Sequence, residues 1–84
     1  MKKVVIYTGQ RCSHCDWAIA LLNKKNIEFT EYNIAIDVKK REEMFKKSNG
    51  ARTVPQIFIG EHHVGGNVEL QALDREGKLI SLLG

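Results

Sequence analysis

At 84 residues the chain has room for one domain, residues 1–84, and none for a second. With 43% hydrophobic and 27% charged residues it is too apolar and too evenly charged for a disordered chain. The net charge of +3 is mild, and the basic residues of Lys39-Lys40-Arg41, Lys46-Lys47 and Arg52 are interleaved with Asp37, Glu42 and Glu43, which excludes the continuous basic stripe of a nucleic-acid binder. Met1-Lys2-Lys3 precedes only the short apolar run Val4–Tyr7, so neither a signal peptide nor a membrane span is expected.

In chain order, Val4-Val5-Ile6-Tyr7 suits a strand buried on both faces. A helix is expected from about Asp16 to Lys25, where Ala18, Ile19 and Leu22 follow Cys15 at i+3, i+4 and i+7 and Trp17 and Leu21 widen the apolar side. Lys24 and Lys25 suit its C-terminus, and Asn26 the left-handed position that ends it. Ile27 to Asn33 reads as a second strand. Asp37 caps a second helix in which Val38 and Phe45 recur at i and i+7 with Met44 beside them, ending near Ser48-Asn49-Gly50. Gln56-Ile57-Phe58-Ile59, a turn at Gly60-Glu61 and His62-His63-Val64 make a hairpin. Gly65-Gly66 breaks the chain, Asn67 caps a further helix with Leu70 and Leu73, and Gly77 ends it. Leu79, Ile80, Leu82 and Leu83 form a last helical turn over one sheet face.

The chemistry concentrates in Cys12-Ser13-His14-Cys15, which holds both cysteines of the chain. The first strand and the loop Thr8-Gly9-Gln10-Arg11 deliver Cys12 to the start of a helix, where unpaired N–H groups and the positive dipole end favour thiolate over thiol. Arg11 and His14 add positive or chargeable groups nearby. Cys15 falls on the apolar face one turn on. The pair therefore reads as a dithiol redox site with Cys12 the exposed nucleophile and Cys15 the buried resolving thiol. Three other readings stand beside it: a zinc half-site completed by His14, His62 or His63, a static disulfide, and two unreactive core cysteines. Zinc sites usually show a second paired ligand set, a bond closing so short a loop removes little chain entropy, and Ser-His between the cysteines suits a core poorly. A motif built for cycling points to a reducing compartment, most simply the cytosol.

The order strand-helix-strand-helix-strand-strand-helix, with the two-cysteine site at the first strand-to-helix junction, Thr53-Val54-Pro55-Gln56-Ile57-Phe58-Ile59, and Gly65-Gly66 opening the last long helix, resembles the glutaredoxin family over essentially the whole chain. The resemblance implies an α/β thioredoxin fold, a mixed four-stranded sheet of two parallel strands followed by an antiparallel hairpin, flanked by three to four helices. It implies a glutathione-dependent thiol–disulfide oxidoreductase that acts on protein disulfides and glutathionylated proteins as a monomer, with no resident metal. Pro55 would be cis, so that Val54 pairs with the glutathione backbone as a strand would. The N–H groups of Asn67 and Val68 would take the γ-glutamyl carboxylate at a helix N-terminus, and Gly66 would let backbone approach the ligand. Arg52 or Arg11 would hold the other carboxylate, with Thr53 and His14 completing the glutathione contacts.

Three positions depart from the commonest pattern: Ser13-His14 stands where many members have Pro-Tyr, Gly9 where many have lysine, and Val68 where many have aspartate. A protonated His14 would stabilise the thiolate and make the protein a stronger oxidant; the missing charges would weaken glutathione binding. The family offers two other functions, an iron–sulfur cluster held between two chains by Cys12 and glutathione, and an electron donor dedicated to one enzyme such as a ribonucleotide reductase.

Overall fold

The computed structural model describes all residues, 1–84. The elements run β1 (Val4–Thr8), α1 (Ser13–Lys24), β2 (Thr30–Asn33), α2 (Val38–Lys47), β3 (Gln56–Ile59), β4 (His62–Gly65), α3 (Asn67–Arg75) and α4 (Leu79–Leu83). One sheet has the order β2-β1-β3-β4, with β1 and β2 parallel and the other neighbours antiparallel. This is the mixed sheet expected from the sequence.

Every residue of β1 is buried, because the strand is central and both of its faces are covered. Its side chains alternate as a pleated strand requires. Val4 and Ile6 join Ile57 and Ile59 of β3 in a core closed by Ala18, Leu21 and Leu22 of α1, Leu70 of α3, and Leu79 and Leu83 of α4. Val5, Tyr7 and Phe58 point to the other face, where Met44 of α2 covers them. Three helices thus pack on one side of the sheet and one on the other.

Several sequence expectations shift. Helix α1 begins at Ser13 rather than near Asp16, because Cys12 itself is the N-cap. Trp17 is 57% exposed and does not widen the apolar face. Strand β2 starts at Thr30, not Ile27: the N–H of Ile27 still closes the end of α1 on the carbonyl of Leu22, with Asn26 at φ 57°. Asn67 is the first residue of α3 rather than its cap. Gly66 takes the cap position, and its N–H donates to Glu69 Oε1 at 2.7 Å.

The largest difference concerns α2. Val38 and Phe45 are 61% and 41% exposed, and only Met44 is buried. The face that meets the sheet is Lys40, Glu43, Met44 and Lys47, an i, i+3, i+4, i+7 stripe whose charged members pack on aromatic rings. Lys40 Nζ lies 4.0 Å from the Tyr32 ring centroid, and Lys47 Nζ 4.6 Å from that of Phe58. The Tyr7 hydroxyl, on a wholly buried side chain, donates to Glu43. Burial and this bond push the Tyr7 phenol far above its usual range. Glu43 is held below the ordinary carboxylate value, chiefly by the Tyr7 hydrogen bond, with Lys40 and Lys47 adding to it against the effect of burial. The same pairing raises Lys40, outweighing the desolvation that acts the other way. No helix is long and apolar enough to cross a membrane.

Candidate active site

The site forms where β1 ends and α1 begins, at one end of the sheet. Cys12 has extended backbone, φ −114° and ψ 98°, and its sulfur accepts the backbone N–H of Cys15 at 3.1 Å. A cysteine sulfur thus serves where serine or aspartate oxygen usually caps a helix. Cys12 and Cys15 are joined in a disulfide, with Cα atoms 5.2 Å apart. Their surroundings differ: Cys12 is half-buried at the surface, whereas Cys15 is 2% exposed in the first turn of α1.

Against Cys12 lies the loop before β3. The Val54–Pro55 peptide is cis, and the Val54 carbonyl oxygen is 3.7 Å from Cys12 Sγ. The β1–α1 loop passes close by, since a Cβ built on Gly9 would stand 3.1 Å from Val54 Cγ2. Beyond the loop, a groove of about 380 Å³ is lined by His14, Thr53, Val54, Pro55, Gly66, Asn67 and Val68. Those residues were singled out from the sequence, and the fold brings them together from α1, the β3 approach and the start of α3. Arg11 and Arg52 lie outside it. Arg11 is exposed at a left-handed loop position, φ 50°, and the Arg52 guanidinium sits 5.1 Å from the Phe45 ring centroid, on the α2 side. A larger groove of about 770 Å³ beside Met1–Val4 is at the opposite end of β1 and holds none of these groups.

At the far wall the first-turn N–H groups of Asn67 and Val68 have no helical acceptor and carry the positive end of the α3 dipole. The Asn67 side chain is buried and spans two helices: Oδ1 accepts from Gln71 Nε2 at 3.0 Å, and Nδ2 meets His14 Nδ1 at 3.2 Å. The amide nitrogen can only donate, which places the His14 ring hydrogen on Nε2. His14 also stacks edge-on against Trp17, centroids 5.0 Å apart. Ala51, Gln56, His63, Gly65 and Glu69 complete the groove; of these the sequence reading named His63 only as a candidate zinc ligand and Gly65 only as part of the glycine pair. The spacing Gly66-x-x-Glu69 was a usable signal for Glu69, because a Glu at the third helical position reaches back to the cap. For Gln56 the signal was a polar residue opening an otherwise apolar strand.

A disulfide across three residues gives little loop-closure stabilisation, and unequal burial of its sulfurs suits exchange. On this sheet such a pair defines a thiol–disulfide oxidoreductase of the thioredoxin fold. Residues 4–64 match the Glutaredoxin family model, and the chain belongs to the glutaredoxin family. It is 49% identical over 83 residues to glutaredoxin 3 of Escherichia coli strain K12, spanning 99% of each chain. A probable glutaredoxin of Synechocystis is 48% identical over 81 residues, covering 96% of this chain and 92% of that protein. The solution structure of a Brucella melitensis glutaredoxin, 49% identical, superposes with a TM-score of 0.83 over 99% of this chain and 89% of that one. A buckwheat glutaredoxin–glutathione complex, 24% identical, shares the fold with a TM-score of 0.85 over 98% of this chain and 76% of that one.

Proposed function

We propose that the chain is a glutathione-dependent oxidoreductase that reduces glutathionylated proteins and protein disulfides through Cys12. The observation that carries this is the position of Cys12 Sγ, under the Cys15 N–H and beside the carbonyl of Val54, a residue that lines a groove reaching the α3 N-terminus. The groove suits a short peptide with a sulfur at its centre and a carboxylate at one end. Val54 offers strand-like backbone to the middle of the tripeptide, and the N–H groups of Asn67 and Val68 take the γ-glutamyl carboxylate. Arg52, next to Thr53, reaches the glycyl carboxylate by leaving the Phe45 ring.

The Cys12 thiolate attacks the glutathione sulfur of a mixed disulfide. The S–S bond to the protein breaks, a Cys12–glutathione disulfide forms, and the protein leaves as thiolate and takes a proton. A second glutathione thiolate then attacks the bound glutathione sulfur, yielding oxidised glutathione and free Cys12 thiolate. For a protein disulfide, Cys15 attacks Cys12 in the mixed disulfide, giving the Cys12–Cys15 bond seen in the structure and the reduced protein. Two glutathiones return that bond to the dithiol. This chemistry belongs in a reducing compartment, the cytosol.

The test is glutathione-driven turnover of a glutathionylated peptide by the parent, Cys12→Ser and Cys15→Ser. Cys12→Ser is expected to be inactive and Cys15→Ser to keep most of the activity. An inactive Cys15→Ser, with a parent that reduces plain protein disulfides equally well, would overturn glutathione as co-substrate.

A further inference from the structure

The segment Arg52–Pro55 makes no backbone–backbone hydrogen bond. Val54 therefore has no backbone partner for its N–H or C=O, and something other than a ladder must hold the segment in place. The structure supplies a side-chain tie. Gln56, first residue of β3 and 6% exposed, donates from Nε2 to the Thr53 carbonyl at 3.0 Å and to Thr53 Oγ1 at 3.3 Å, spanning the cis Val54–Pro55 peptide. A carbonyl can only accept, so the Gln56 amide is oriented, and its Oε1 faces away from the loop. There it meets His63 Nε2 of β4 at 2.6 Å. That ring nitrogen must carry the hydrogen.

His63 is itself held. A register shift between Ile57 and Phe58 sets it opposite Phe58, and its ring lies on the buried Phe58 ring with centroids 4.7 Å apart and planes within 18°. Phe58 in turn meets Tyr7 edge-on at 5.8 Å. The tie thus runs from the rigid centre of the sheet through the edge strand to the loop that faces Cys12.

We infer that His63 is a positioning residue for substrate: through Gln56 it fixes the Thr53–Pro55 segment in the register at which the Val54 backbone meets glutathione. The inference rests on the glutathione reading above and assigns a cause to the affinity. Losing the His63 N–H takes from Gln56 Oε1, at a residue 6% exposed, its hydrogen-bond partner, and the amide then loses what orients it toward Thr53. Substrate must afterwards order the loop as it binds, which weakens binding without touching the exchange step at Cys12.

Two substitutions separate the ring from its hydrogen. His63→Phe keeps the stack on Phe58 and loses the donor; His63→Gln restores an N–H at similar reach. With a glutathionylated peptide, His63→Phe is expected to raise KM about 3- to 10-fold, the range of one hydrogen bond, with kcat and the iodoacetamide reactivity of reduced Cys12 within about twofold of the parent. His63→Gln is expected to return KM toward the parent value. A parental KM in His63→Phe, a matching fall in kcat and Cys12 alkylation, or a His63→Gln no better than His63→Phe would each overturn the inference. The parent's preference for the glutathionylated peptide over the same peptide disulfide-linked to cysteine is measured alongside. Absence of that preference in the parent overturns the glutathione reading and this inference with it, whereas a preference undiminished in His63→Phe overturns the inference alone.

Discussion

At the scale of single residues, two identical side chains three positions apart acquire different chemistry from where the helix starts. Cys12 is the N-cap and Cys15 is inside the first turn, so the N–H of Cys15 points at Cys12 Sγ while Cys15 itself is buried. The Val54 carbonyl pulls the other way, because a reduced Cys12 thiol can donate to it. The magnitudes favour the thiolate: an N–H bond to a charged acceptor is worth about 1.5–3 kcal/mol, and a thiol is a weak donor worth less than about 1 kcal/mol. A free cysteine is only about 3% thiolate at pH 7. Reduced Cys12 is therefore expected to react with iodoacetamide at pH 7 about 3- to 20-fold faster than an unstructured cysteine peptide, and Cys15 more slowly than that peptide. Equal rates for the two cysteines would refute the asymmetry. The unequal burial was legible in the sequence, since Cys15 heads the spacing completed by Ala18, Ile19 and Leu22 while Cys12 stands before it.

At the scale of elements, legibility followed how each segment buries itself. Strand β1 and the β3–β4 hairpin bury apolar side chains and were placed correctly from the apolar runs and the Gly60-Glu61 turn. Helix α2 was placed but turned to the wrong face, because three of the four residues it sets on the sheet are charged, and a hydrophobic pattern does not register a lysine lying on a tyrosine ring. Groove residues that act through backbone were visible as glycine and proline punctuation. The pairing of Gln56 with His63, which the sequence offered only as a zinc ligand, was not, because it crosses two strands and depends on the Ile57/Phe58 register shift. The corrected face of α2 makes a direct prediction. Met44→Ala, at a residue 1% exposed, should destabilise by about 2–5 kcal/mol, whereas Phe45→Ala should cost less than about 1 kcal/mol. Denaturant midpoints decide it; the reverse order would restore Val38 and Phe45 as the buried pair.

At the scale of the whole molecule the two sheet faces are held differently, and the difference shows in acid. The face under α1, α3 and α4 is closed by apolar side chains, while α2 is fastened through Tyr7, Glu43 and Lys40. The hydrogen bond from Tyr7, helped by Lys40 and Lys47, lowers Glu43 from its ordinary value of 4.5 in the folded protein. The unfolded chain then binds the proton more readily than the folded one between those two values, so stability rises with pH across that window. The contribution is whole above 4.5, declines as pH falls through the folded value, and is gone below it. Its size is limited by solvent, since the Glu43 side chain is 39% exposed, and about 1 kcal/mol is the ceiling. Lys40 and Tyr7 stay protonated throughout the acid range and add no slope of their own there. Glu43→Gln, which keeps an acceptor for the Tyr7 hydroxyl but cannot ionise, should be less stable than the parent at pH 7, and the gap should narrow as the pH falls below 4.5. Urea unfolding at half-unit steps between pH 7 and pH 3 measures the gap, and a gap that stays constant or widens in acid would mean that α2 is fastened by packing on Met44 rather than by the Glu43 charge.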